Sequence, residues 1–255
     1  MAPALAVLKS KKHWEALARM DPCWAIFADP RKKFRGWDLD EFFLTGAQEI
    51  SRLMEVALQL GYPRTNNLAL DFGCGVGRLT GALSKHFEKC VGVDISEEMI
   101  RRATELNRDL RNCEFILNVS GALEQFSQNS FDLIYTSVVL QHIPTKAGIM
   151  RYVADFIRTL KPGGLLVMQL PCFIPWRLRV QPRRRLYELL RCLGFRESFL
   201  YERLRLDPVR MTFVSEKEIL SFLNDLGATT LRVQRDSMAG PRIESRTYFV
   251  TRSVL

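Results

Sequence analysis

A chain of 255 residues has room for one full α/β domain with additions, and two large domains would be cramped. Apolar residues make up 47% and charged residues 25%, a balance that excludes a disordered or fibrous chain. Lysine and arginine exceed the acids for a formal charge of +9, which favours acidic partners over basic ones.

The opening MAPALAVLKSKKHW sets its apolar residues before its lysines, the reverse of a secretory leader, and no apolar stretch reaches the length of a membrane span. A cytoplasmic location is therefore expected. Next comes WDLDEFFLTGAQEISRLMEVALQLG, which reads as one broken or two consecutive helices, with Asp38 and Glu41 at capping-box spacing and Gly61 at the stop. NLALDF is a short apolar strand followed by a helix GRLTGALSKHF; KCVGVDI is a second strand, followed by a helix opened by Ser96. CEFILN, SFDLIYTSV and, after a helix and the turn KPGG, LLVMQL complete five strands that are apolar nearly throughout. Such strands, alternating with helices, predict a parallel sheet covered on both faces. An arginine-rich stretch then breaks the rhythm before a helix capped by Ser215 and Glu218. Two last strands, TTLRVQRD and SRTYFVTR, pair as a hairpin across Ala239-Gly240-Pro241. The six cysteines (Cys23, Cys74, Cys90, Cys113, Cys172, Cys192) form no CxxC pair, so reduced thiols are expected rather than a metal site or disulfides.

Gly73, Gly75 and Gly77 follow the first strand and open a helix, where bare backbone can turn sharply and approach a ligand. Asp71 precedes them by two residues, at the strand end where ligands of open α/β sheets bind. A carboxylate there would repel a pyrophosphate and attract an ammonium, and no Gly-Lys-Ser/Thr serves a triphosphate. Asp94 ends the second strand, placed for a ribose diol, with Ile95 and Met99 placed to flank an adenine. S-Adenosyl-L-methionine carries an ammonium, a sulfonium, a ribose and no phosphate, and fits this set.

LALDFGCGVGRLT, CVGVDIS, SFDLIYTSVVLQHI and IRTLKPGGLLVMQL, in that order, resemble the class I S-adenosylmethionine-dependent methyltransferases, and similar small-molecule members from bacteria. The resemblance implies a doubly wound α/β fold with a seven-stranded, mostly parallel sheet of order 3-2-1-4-5-7-6. It implies that Asp71, Gly73, Gly75 and Gly77 hold the methionine part of the cofactor. Asp94 would take the ribose, Asn118, Val119 and Ser120 the adenine edge, and Ser137 the sulfonium side. The chain departs from many members in having no acid after strand three until Glu124, so Asn118, Ser120 or backbone would take the adenine amino group.

Residues 1–62 are expected to form an N-terminal helical lid and residues 63–255 a Rossmann-like methyltransferase domain, with a helical insertion at 171–214. Trp37, Phe42 and Phe43 would close over cofactor and substrate. His142, after strand four, is either a general base or a residue that orients its loop. Pro175 to Arg210 holds ten arginines and no lysine. Leu186, Leu189, Leu190 and Leu193 at helical spacing would face the protein and leave Arg183, Arg184 and Arg191 outward. Arg183 and Arg184 would then meet an acidic group on the acceptor, nucleic acid or an anionic membrane, or only solvent. Nucleic acid ranks lower, because the run lacks exposed aromatics for base stacking. The expected activity is methyl transfer to O, N or S of a small acceptor. Alternatives are an RNA or protein methyltransferase using the arginine-rich insertion, and a cofactor-binding protein without turnover.

Overall fold

The structure, a computed structural model, describes residues 3–253 apart from 33–35, 207–208 and 241, and for residues 3–6, 9 and 30 the backbone alone. Pro241 of the expected hairpin loop therefore lies outside the described residues.

Helices α1 (Pro3–Met20) and α2 (Pro22–Ile26) open the chain and lead, through a short 3-10 turn, to α3 (Leu39–Leu60). Asp38 caps α3 by accepting from Glu41 N, and Gly61 ends it in the left-handed conformation at φ 71°. The helix is single and unbroken, not split near its central glycine. Gly46 is there because a Cβ would lie 2.6 Å from the carbonyl oxygen of Arg78, so its absence lets α3 approach its neighbour closely.

Strands β1 (Leu68–Phe72), β2 (Lys89–Asp94), β3 (Cys113–Leu117) and β4 (Phe131–Thr136) are interleaved with α4 (Arg78–Leu83) and α5 (Glu97–Leu106). Helix α6 (Lys146–Thr159) then runs into β5 (Leu160–Phe173). Lys161 to Gly164 form a bulge inside β5 rather than a separate turn: Phe131 pairs with Leu160 and Leu133 already with Leu165. Three short helices follow, α7 (Trp176–Arg179), α8 (Pro182–Cys192) and α9 (Glu197–Glu202). The chain continues through α10 (Glu216–Asp225), held by a complete capping box between Ser215 and Glu218, into β6 (Ala228–Asp236) and β7 (Glu244–Arg252).

One seven-stranded sheet results, in the order β3-β2-β1-β4-β5-β7-β6, with β7 antiparallel to both its neighbours and the remaining pairs parallel. This is the sheet implied by the sequence resemblance. Strand alternation divides its core. Leu70, Phe72, Ile134, Leu166 and Met168 point to the face covered by α6 and α10, where Phe156, Val153, Ile219 and Leu223 are sealed from solvent. Ala69, Leu133, Tyr135, Leu165 and Val167 point to the other face, against Ile50 and Leu53 of α3 and Leu79 and Leu83 of α4. Each of the leucine, isoleucine, valine, phenylalanine and methionine side chains among them contributes about 1.5–3 kcal/mol on burial. A smaller cluster of Ala18, Phe42, Val76 and Met99 ties α1 and α3 to the loop after β1.

Candidate functional site

A cavity opens at the C-terminal ends of the central strands. Phe72, Gly73 and Gly75 wall it from β1, Val93, Asp94, Ile95 and Met99 from β2 and α5, Asn118 from beyond β3, and Ser137 to Val139 from beyond β4. The roof comes from the N-terminal helices: Ser10 and Trp14 of α1, Ala25 and Ile26 of α2, and Phe27.

The glycine loop is pinned to β2, since the N–H groups of Gly73 and Cys74 both donate to the carbonyl of Val93, at 2.8 and 3.0 Å. Gly73 and Gly75 adopt φ of 81° and 53°, open to glycine at little cost. They also lie under other walls. A Cβ on Gly73 would meet Val139 at 2.3 Å, and one on Gly75 would meet Ile26 at 2.4 Å. Gly77 serves packing instead, with the side chains of Asn107 and Phe115 filling the space beside it, and it is not among the cavity's walls.

Asp94 stands at the cavity's edge. Its carboxylate accepts from Gly75 N at 3.0 Å and from Ser96 N at 2.9 Å, leaving lone pairs on both oxygens. Burial pushes its carboxyl above the usual carboxylate range, while these N–H donors pull the other way. Asp71, expected to face a ligand, is not among the residues that wall the cavity. It shares the face of β1 with Ala69, is 2% exposed, and accepts from Thr80 Oγ1 at 2.6 Å beneath the loop. Burial raises its carboxyl to about 7. Near it lies a network that sequence reasoning missed. Arg78 pairs with Glu49 at 2.9 Å, and Tyr135 Oη donates to the other Glu49 oxygen at 2.7 Å. Arg78 is the one cation among the described lining residues, and it is already neutralised and covered by the rings of Phe27 and Phe42. An arginine inside the apolar stretch VGRLTGAL was the available signal.

Ile95, Met99, Asn118 and Ser137 stand on the walls. Val119 and Ser120 do not: after Asn118 the chain turns away, leaving Val119 47% exposed, while the Ser120 hydroxyl lies 2.9 Å from the carbonyl of Ala122. Val138 is held at φ 60°, strained for a β-branched residue, with its N–H donating to Gln169 Oε1 at 3.1 Å.

His142 reaches the cavity wall beside Trp14, the ring centroids 5.1 Å apart. Its Nδ1 lies 2.8 Å from the carbonyl of Arg210, so Nδ1 carries the proton, and Nε2 accepts from the Gln141 amide at 3.2 Å. Burial lowers its pKa to about 4. Neutral, weakly basic and with both nitrogens engaged, the ring holds the loop instead of presenting a free base.

Trp37, Phe42 and Phe43 do not line the cavity. Phe42 is fully buried, and Trp37 and Phe43 pack around it behind the roof, with Trp37 Nε1 donating to the carbonyl of Phe27. Trp14, Ile26 and Phe27 stand at the cavity in place of Trp37, Phe42 and Phe43. Arg183 and Arg184 also lie off the cavity. Arg183 donates to the carbonyl of Arg205, and Arg184 folds inward onto Gln181 and Glu188. Helix α8 is rotated from the expected orientation: Tyr187 is its buried residue, while Leu186, Leu189 and Leu193 face solvent. Trp176, Phe195 and Phe199 are likewise exposed, so the segment does carry surface aromatics.

Residues 70–168 match a family model described as a methyltransferase domain. Together with the sheet order, this marks residues 70–168 as a methyltransferase domain on the class I methyltransferase fold. The chain is similar to the magnesium protoporphyrin IX methyltransferase of Synechocystis, solved with bound S-adenosylhomocysteine, at a TM-score of 0.64, 18% identity and coverage of 97% of this chain and 100% of that one. That likeness is one of fold. Among curated proteins it is 34% identical over 100 residues to a 2-methyl-6-phytyl-1,4-hydroquinone methyltransferase of Synechocystis, covering 39% of this chain and 30% of that protein. It is 31% identical over 131 residues to a ubiquinone biosynthesis O-methyltransferase of Methylococcus capsulatus, covering 51% and 54% respectively. The chain thus spans about a third to a half of these two relatives.

Proposed function

We propose that the chain transfers the methyl group of S-adenosyl-L-methionine to a small organic acceptor. The observation that carries this reading is the cavity's charge. A carboxylate, Asp94, edges a cradle whose single described cation, Arg78, is already paired with Glu49. A phosphate-bearing nucleotide would find no free cation among the described lining residues, whereas a nucleoside bearing positive charge finds a complementary wall. On this reading Asp94 receives the ribose hydroxyls, Ile95 and Met99 flank the adenine, and Asn118 edges it. Gly73, Gly75 and Ser137 contact the methionine part, and Asp71 supports the loop from below through Thr80. The cofactor, when bound, supplies an activated methyl group. The walls then align the acceptor behind it, and alignment alone lowers such barriers by about 7–11 kcal/mol.

The names of the relatives, hydroquinone and ubiquinone-biosynthesis methyltransferases, support a small-molecule acceptor. Calorimetric titration with S-adenosylhomocysteine tests the cofactor assignment. Asp94→Ala should weaken binding about 30-fold, as loss of hydrogen bonds to a charged acceptor costs on the order of 2 kcal/mol. Unchanged affinity in the variant, or a preference of the wild-type protein for NAD or ATP, would refute it. A screen of acceptors with labelled methyl donor would then identify the attacking atom.

A further inference from the structure

We propose that the helical insertion after β5 docks on an anionic lipid bilayer. The argument starts from the rotation of α8. With Tyr187 packed against Leu200 and Leu206, the helix leaves Leu186, Leu189 and Leu193 in one row on its outer side, Leu189 57% and Leu193 66% exposed. The row continues through the turn into Phe195 and Phe199, and Arg191 donates to the Phe195 carbonyl to fold that turn back. Soluble surfaces rarely keep so continuous an apolar strip without a partner.

The partner's chemistry follows from the rim. Residues 175–210 hold ten arginines against four acids, most of the excess charge of the whole chain. Helical geometry sets Arg183 and Arg185 on either side of the leucine row. Ahead of α8, Trp176 is 69% exposed with the Arg177 guanidinium over its ring. An apolar ridge within an arginine rim, with a tryptophan beside it, fits the boundary between acyl chains and anionic headgroups. None of the described helices is long and apolar enough to cross a membrane, so the segment lies on the surface. A second copy of the chain fits less well, since two arginine rims would face each other. Nucleic acid fits less well too: the ridge is mainly aliphatic, and Phe195 and Phe199 stack on each other at 5.9 Å, which takes up one face of each ring.

The docking face is joined to the cavity roof. Tyr201 Oη donates to Asp21 at 3.2 Å, and the rings of Trp24 and His13 pack against Tyr201 and Tyr187. Combined with the methyl-transfer reading, on which this last step rests, docking places the acceptor in the lipid-soluble class.

Co-sedimentation with unilamellar vesicles tests it. The protein should bind phosphatidylcholine vesicles containing a third phosphatidylglycerol, and bind phosphatidylcholine alone at least about tenfold more weakly. The double variant Leu189→Glu, Leu193→Glu, both changes at exposed positions, should lose vesicle binding while keeping its melting temperature and S-adenosylhomocysteine affinity. Absence of binding to anionic vesicles, or equal binding by the variant, would overturn docking and leave the methyl-transfer reading standing. So would a dimer that the variant dissociates, or ribonuclease-sensitive retention of RNA that the variant abolishes. Vesicle binding by a protein with no affinity for the cofactor would uphold docking and remove the acceptor assignment.

Discussion

Asp71 is the last residue but one of β1 and Asp94 the last of its neighbour β2, yet one is sealed beneath the glycine loop and the other edges the cavity. The difference is one of parity. Asp71 follows Leu70, which faces α6, so its own side chain points toward α3 and α4. Its expected role as ammonium partner came from position along the strand, and the alternation within LALDF already argued for the other face. The burial has a titration consequence. Folded Asp71 keeps its proton to about pH 7, whereas the unfolded chain releases it near 3.8. The associated stabilisation is complete below pH 3.8 and is lost as pH rises through about 7. Asp71→Asn should therefore gain stability relative to the wild-type protein across that interval, measured as the shift in urea midpoint. A difference constant with pH would show that the site does not titrate there.

At the scale of elements, the strands and their order were readable, though by different routes. The mostly apolar runs of β1, β4 and β5 point to a sheet buried on both faces, while the strand order entered through family resemblance. What sequence alone missed were contacts between elements. Gly46 looks like a break in α3 until Arg78 is seen against it, and the leucine period of α8 shows a stripe without saying which side the protein covers. Tyr187 took the inner position with Leu190 packed near it, and Leu186, Leu189 and Leu193 went outward. Gly46 also yields a prediction whose sign is not obvious. Alanine is the better helix former by about 1 kcal/mol, but overpacking against backbone costs about 1–3 kcal/mol. Gly46→Ala should thus lower stability or leave it no higher, read from denaturant midpoints. A clear gain would mean that α3 and α4 have room to spare.

For the molecule as a whole, the N-terminal helices and the insertion share a seam across 180 residues of chain, as the pairing of Asp21 with Tyr201 records. Both residues are sealed from solvent, Asp21 at 1% and Tyr201 at 2% exposed. A double-mutant cycle with Asp21→Asn and Tyr201→Phe should return a coupling of about 1–2 kcal/mol in unfolding free energy. A coupling near zero would mean that the two parts are joined elsewhere. This long-range seam was invisible in the sequence because neither residue belongs to a periodic pattern.

The position of β7 bears on how the protein is made. Strand β6 precedes it in the chain but touches the sheet only across it. While a ribosome is still adding residues 244–252, the flank of β5 stands without its hydrogen-bonding neighbour and β6 has nowhere to dock. Completion of the sheet therefore waits on the synthesis of β7, and until then the nascent chain carries an open strand edge that must be kept from foreign pairing.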